Sequence, residues 1–288
     1  MITPVRRLAA VAALAASLAA CGTTKAGPPA SAPAPERAAS ASPSPSPSRP
    51  VPSAPPTMAA GPSGLTPVFE HAPRGARTVA LTFDADMTAD QGARAARGER
   101  FDNPGLIAAL RALRIPATVF MTGRWAEEYP EQARSIGRDP LFEVANHSYS
   151  HHAFTSDCYG LPTVPESGMR ADVEKAYAAF RAAGVPHAMP YFRFPGGCYD
   201  KTALHALSAT GVTAVQWDVV SGDAFATDAD AVARQVLDGV KPGSVVVMHC
   251  TRSAAPTTER ALRTIVPELR RKGYRFVKVS EQIRAAVG

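Results

Sequence analysis

The stretch Thr78-Val79-Ala80-Leu81-Thr82-Phe83-Asp84-Ala85-Asp86 runs from a near-continuous apolar segment straight into two carboxylates. It is too short for a typical helix and reads as a strand buried on both faces. Six more short apolar segments follow it: Ala117 to Met121, Phe142 to Ala145, Tyr191 to Phe194, Thr213 to Trp217, Ser244 to Met248 and Tyr274 to Val279. Between them lie helical spacings. Leu106, Ile107, Leu110 and Leu113 form one, and Val173, Tyr177 and Phe180, closed by Gly184, form another. Ala231 to Val240 and Ala261 to Leu269 complete the alternation. Strand and helix in regular turn predict a parallel α/β fold. Seven such units in about 215 residues fit a distorted, seven-stranded (β/α) barrel, with an open doubly wound sheet as the alternative. Neither G-x-G-x-x-G nor G-x-x-x-x-G-K-[ST] occurs, which disfavours nucleotide binding.

Polar residues follow the C-terminal ends of these strands, the face where parallel α/β folds assemble active sites. Asp84 and Asp86 follow the first, His147 and His151 the third, Trp217, Asp218 and Asp223 the fifth, and His249 the sixth, while Arg193 ends the fourth. His147 and His151 stand four apart, a spacing that brings two imidazoles to one side of a helical turn to share a metal. The residue after His147 is Ser148, so the H-E-x-x-H protease reading fails; His152 adds a further candidate. One of Asp84 and Asp86 could complete the metal set and the other act as general base. Arg193 at a strand end suits orientation of a carboxylate. Pro195, Gly196 and Gly197 shape a tight turn whose N–H groups could face an oxyanion. His249 has the chemistry of a general acid near neutral pH.

Together these blocks resemble the polysaccharide deacetylases, carbohydrate esterase family 4, from about Arg77 to Ile283. Thr82-Phe83-Asp84, His147-Ser148-Tyr149-Ser150-His151, Arg193-Phe194-Pro195-Gly196-Gly197, Trp217 to Asp223 and Val247-Met248-His249 match its five motifs in order. The resemblance implies a distorted (β/α) barrel and a divalent metal, commonly zinc, that serves to hydrolyse acetyl groups from sugars. It implies Asp84 as base, His147 and His151 as metal ligands, and Arg193 as the residue orienting Asp84. It places Asp223 where the family's Arg is held, so that Arg193 and Asp223 set the pKa of Asp84. It further implies that Trp217 walls the acetyl pocket, with Pro195, Gly196 and Gly197 alongside, and that His249 is the acid. The chain departs from the pattern at Ala85, where the family carries the metal-binding Asp; Asp86 is the expected substitute through a shifted turn. It departs again at Ala224, a common aromatic position. An O-acetyl esterase of the xylan type, or an inactive glycan-binding protein on the same fold, are the alternatives.

The remaining sequence speaks to location. Arg6 and Arg7 precede an apolar run, Leu8 to Ala20, that is too short to span a bilayer. Leu18-Ala19-Ala20-Cys21 resembles a bacterial lipobox. We expect a signal peptide at 1–20, lipidation of Cys21, a Pro/Ser/Ala-rich linker at 21–70 and a catalytic domain at 71–288. The expected setting is extracytoplasmic, lipid-anchored to the cell membrane. Acyl chains contribute ~0.8 kcal/mol per buried CH₂. The repeat Ser42-Pro43-Ser44-Pro45-Ser46-Pro47 favours an extended spacer. The formal charge of +6 falls to +4 once Arg6 and Arg7 leave, which suits an anionic envelope and gives no nucleic-acid footprint. A polysaccharide is the expected partner, and the protein is expected to be a monomer. Cys158, Cys198 and Cys250 remain; the sequence does not assign a pair, and Cys158 with Cys198 is the one favoured. The polar segment from Thr88 to Asn103 is expected to be solvated, with a place lining the groove as the alternative.

Overall fold

A computed structural model of the protein describes residues 54–288, so the expected signal peptide, Cys21 and most of the linker lie outside the described residues. Nine strands form one sheet: β1 (Val68–Phe69), β2 (Thr78–Ala85), β3 (Ala117–Met121), β4 (Phe142–Asn146), β5 (Ala188–Phe192), β6 (Thr213–Val215), β7 (Val219–Val220), β8 (Ser244–His249) and β9 (Arg275–Phe276). Their order is β1-β6-β5-β4-β3-β2-β8-β7, with β9 also on β2, and every pairing is parallel. This is the expected distorted (β/α) barrel. The seven predicted strands are present, and β1 and β7 are additional two-residue strands that offer no alternation to read. Among the described residues no ladder joins β1 to β7, so the barrel stays open there.

Strand alternation divides the side chains into two cores. Val79, Leu81, Phe83 and Ala85 point outward with Val119, Met121, Val246 and Met248 against the helices. One of these is Thr258–Arg271, whose Ala261, Leu262, Ile265 and Leu269 recur at helical spacing on the buried face. Ala80, Phe120, Ala145, Tyr191, Val215 and Val245 fill the barrel interior. The C-terminal helix Val279–Val287 closes the barrel floor with Val279 and Ile283. Its first N–H groups are satisfied from inside: Val279 donates to Thr118 Oγ1 (3.0 Å) and Ser280 to buried Glu143 Oε1 (3.0 Å). The floor is thus packed shut, and chemistry is confined to the opposite rim.

Residues on the N-terminal side of position 71 also pack against the sheet. β1 adds to the edge of β6 through Val68↔Ala214 and Phe69↔Val215. Upstream, Met58 N–H donates to Thr213 Oγ1 (3.1 Å) and Tyr191 Oη donates to the Pro56 carbonyl (2.8 Å). The physical reason is the open edge of β6, whose backbone groups need partners. The favoured disulfide, Cys158 with Cys198, is formed, and Cys250 is a buried free thiol.

Candidate active site

Register sets the first two residues side by side. Asp84 is the Cα partner of His249 across β2 and β8, and of Phe120 across β3, so all three point into the barrel mouth. Asp84 is 4% exposed. Its Oδ1 accepts from Arg193 Nη1 at 2.7 Å, and Arg193 is itself fully buried. The guanidinium also donates to the carbonyls of Val215 (3.2 Å) and Gln216 (3.4 Å). It is stacked between Phe120 and Trp217, 4.0 and 5.3 Å from the ring centres. Burial would raise the Asp84 pKa, but the charge of Arg193, helped by His147 and His249, outweighs it and holds the carboxyl below its usual range. Asp84 is therefore ionised, with Oδ2 free to face the cleft.

Asp223 goes elsewhere than expected. It does not join Arg193 and Asp84; its Oδ1 accepts from His249 Nδ1 (2.8 Å) and its Oδ2 from the His249 backbone N–H (2.7 Å). Thr258 and Ser221 hydroxyls, at 2.7 and 3.0 Å, complete its shell. Burial pulls the His249 pKa down, but the hydrogen bond and charge of Asp223, with Asp86 and Asp84 behind, raise it to about 10. The imidazolium thus keeps a proton on Nε2 at neutral pH. Asp218 also leaves the site: it binds Arg74 (2.8 Å) and the Val245 N–H (2.8 Å).

His147 and His151 do not lie on a helical turn. The segment is a loop in which Ser148 and His151 take left-handed backbone angles (φ 70° and 57°). Such angles are strained for side chains of this kind, and polar contacts hold them. Asn146 Oδ1 accepts from the Ser148 N–H (2.8 Å), Ser148 Oγ from the His151 N–H (2.9 Å), and Asp172 from the Tyr149 N–H (2.8 Å). The two rings end 5.0 Å apart, edge to face. His147 Nδ1 meets the Arg193 carbonyl at 2.9 Å; a carbonyl only accepts, so Nδ1 carries hydrogen and Nε2 faces the cleft. His152 does not line the cleft.

Asp86 meets the cleft beside His151. Its Oδ1 accepts from Thr251 Oγ1 (2.5 Å), and its Oδ2 stands 3.8 Å from His151 Nε2. His147 Nε2 stands 3.7 Å from Asp84 Oδ2. Burial, opposed by Asp86 and Asp84 and reinforced by His147 and His249, leaves the His151 pKa at about 4, so its imidazole is neutral and able to ligate. Among the described residues no three His, Cys, Asp or Glu side chains are drawn into one ready-made cage. The donor types nevertheless suit a divalent ion, and they line one cleft. His147 and His151 turn ring nitrogens, and Asp86 a carboxylate oxygen, towards one cleft, and the His151–Asp86 gap is too long for a hydrogen bond.

These groups share a cleft of about 580 Å³. Gly197 allows Trp217 to lie on the turn, since a Cβ there would come within 2.4 Å of the indole. The Gly197 N–H is spent on the Phe194 carbonyl (2.8 Å), which leaves Gly196 as the turn's candidate oxyanion donor. Segment 88–103 is not simply solvated: Thr88, Gln91, Arg94, Glu99 and Phe101 wall the cleft. Sequence reading missed Thr251, Thr258 and the exposed lining residues Tyr159 and Phe225. Thr251 had a signal, since it lies two residues past His249 at the end of β8; the others come from loops without periodicity.

The chain is similar to several known proteins. The family model described as polysaccharide deacetylase matches residues 71–215. A chitooligosaccharide deacetylase from Bradyrhizobium is 29% identical over 212 residues, spanning 69% of this chain and 88% of the relative. A peptidoglycan-N-acetylglucosamine deacetylase from Bacillus cereus is 29% identical over 185 residues, 64% of each. The crystal structure of the Bc1960 peptidoglycan N-acetylglucosamine deacetylase, in complex with 4-naphthalen-1-yl-N-oxidanyl-benzamide, superposes with a TM-score of 0.64 at 25% identity. That match covers 76% of this chain and 94% of the other.

Proposed function

The chain belongs to the polysaccharide deacetylase family of hydrolases, and from that premise we propose that it removes N-acetyl groups from an N-acetylglucosamine-containing polymer of the cell envelope, with zinc as its metal. The observation that supports this is a pair of oppositely tuned groups in adjacent register. Asp84 is held ionised by Arg193, and His249 is held protonated by Asp223. Environments that push two titrating groups apart in this way separate a base from an acid.

His147, His151 and Asp86 would hold the ion, which when bound supplies Lewis-acid polarisation of the acetyl carbonyl and acidifies water. Asp84 Oδ2 takes a proton from the attacking water while Arg193 fixes Oδ1. Water oxygen bonds to the carbonyl carbon, and the Gly196 N–H faces the developing oxyanion. His249 Nε2 then gives its proton to the sugar nitrogen as the C–N bond breaks, releasing acetate and a free amine. Trp217 forms the apolar wall for the acetyl methyl. Export, lipidation at Cys21 and attachment to the outer face of the membrane belong to the same proposal, since they would set the enzyme beside such polymers.

The test is acetate release from N-acetylglucosamine oligomers and from peptidoglycan, with added zinc and after chelation. Metal-dependent release from either supports the proposal; a folded protein that releases none at any zinc level overturns it. A second reading, a glycan-binding protein on this fold, draws on Ala85 and on the absence of a ready-made three-ligand cage among the described residues. Glycan binding without acetate release would select it.

A further inference from the structure

Large apolar side chains exposed among the described residues are few: Tyr159 (87%), Phe225 (82%), Val220 and Val287. The first three line the cleft. Tyr159 and Phe225 also hold left-handed backbone angles (φ 51° and 58°), which aromatic residues avoid. Burial of the rings cannot account for that strain, because the rings face solvent. The structure fixes the backbone instead. Cys158, next to Tyr159, is bonded to Cys198 just past the Pro195–Gly197 turn. Gly196 makes room for this: a Cβ there would stand 2.5 Å from Cys158 Sγ and 3.3 Å from Tyr159 Cδ2. On the other side, the Phe225 N–H donates to the Ala254 carbonyl (2.6 Å).

Topology gives the two rings their meaning. Tyr159 follows β4 and Phe225 follows β7, while Asp84 and His249 belong to β2 and β8, with Asp86 just past the end of β2, and both strands lie between β4 and β7 in the sheet. An exposed aromatic ring therefore stands on each side of the reacting centre along the rim. A pyranose offers an apolar C–H face that stacks on such a ring and hydroxyls at its edge. Gln91, Arg94, Glu99 and Ser253 line the same cleft and supply hydrogen-bonding partners for those hydroxyls.

We propose that Tyr159 and Phe225 are stacking platforms for the sugars on either side of the one that loses its acetyl group, and that the Cys158–Cys198 disulfide holds the Tyr159 platform in position. The protein then selects substrate by chain length, favouring an extended polymer over a disaccharide. This rests on the proposed function for the identity of the sugar, but its test does not depend on turnover. Binding of N-acetylglucosamine dimer and hexamer is measured by calorimetry on chelated protein, alongside acetate release from both. The wild type binds the hexamer more tightly than the dimer. Tyr159→Ala and Phe225→Ala each weaken hexamer binding about tenfold and dimer binding much less, as loss of one stacked ring requires. Tyr159→Phe keeps the ring and restores hexamer affinity, and Cys158→Ser moves it in the same direction as Tyr159→Ala. Equal affinity of the wild type for dimer and hexamer, or an unchanged hexamer Kd in a folded Tyr159→Ala protein, overturns the platforms. Length-dependent binding without acetate release leaves the platforms standing and overturns the hydrolase reading alone.

Discussion

Asp223→Asn would test the division of labour between base and acid. The carboxylate is 1% exposed and accepts four hydrogen bonds, two of them from His249. Asparagine keeps the shape but removes the charge that holds the His249 proton. The His249 pKa stands at about 10 against an ordinary imidazole value of 6.5. At 1.36 kcal/mol per unit, that net difference is about 5 kcal/mol. A quarter of the His249 side chain is exposed, so solvent screening reduces the figure; we take about 4 kcal/mol, a downward move of about three units. The alkaline limb of kcat/KM then shifts from near pH 10 to near pH 7. Relative to the wild type, the variant loses about 30-fold at pH 8.5 but less than about twofold at pH 6. The assay is acetate release from an N-acetylglucosamine oligomer across that pH range, with a thermal melt to confirm folding. An equal loss at pH 6 and pH 8.5, or an alkaline limb that does not move, would refute the acid role of His249.

Arg193→Met should lower thermal stability by about 3–5 kcal/mol, because Asp84 would be left buried and unpaired. For a domain of this size that is a drop of about 10 °C in Tm by calorimetry, and a change under about 3 °C would remove Arg193 from its role. Asp86→Asn should weaken zinc binding by more than about tenfold in a chelator competition; unchanged affinity would assign the third ligand elsewhere. Stability of the metal-free protein should peak near pH 6–7. The raised pKa of His249 contributes stability fully below its unfolded value, 6.5, and loses it as pH rises through about 10. The depressed pKa of His151 contributes stability above 6.5 and loses it as pH falls through about 4. A Tm that climbs steadily from pH 6 to pH 10 would show that the Asp223–His249 pair does not dominate.

The fold was legible because its strands are buried on both faces, which writes them as apolar runs such as Ser244 to Met248. β1 was not legible: its two residues owe their pairing to the open edge of β6, a tertiary fact with no local pattern. The same distinction governs the site. Asp84 and His249 lie at the ends of regular strands, so alternation places them, and Arg193 follows β5 directly. The His147–His151 loop could be located but its geometry could not, since the left-handed angles at Ser148 and His151 depend on Asn146 and on distant Asp172. Asp223 was found and paired with the wrong partner, because nothing along the chain says that its carboxylate reaches His249 across β8.

Strand alternation also accounts for the displaced carboxylate. A shifted turn was the expected way for Asp86 to replace a ligand at Ala85, yet β2 keeps its register through Ala85↔Met121 without a bulge. Thr82 and Asp84 face the interior. Phe83, Ala85 and Met87 are fully buried in the outer core against the helices. Period two carries on past the strand end, so Asp86 inherits the inward direction and meets the cleft beside His151. On this backbone a carboxylate at 85 would point into apolar packing with no partner, at a cost of several kcal/mol. The second acidic position therefore belongs at 86, and Ala85 is the residue the outer core requires.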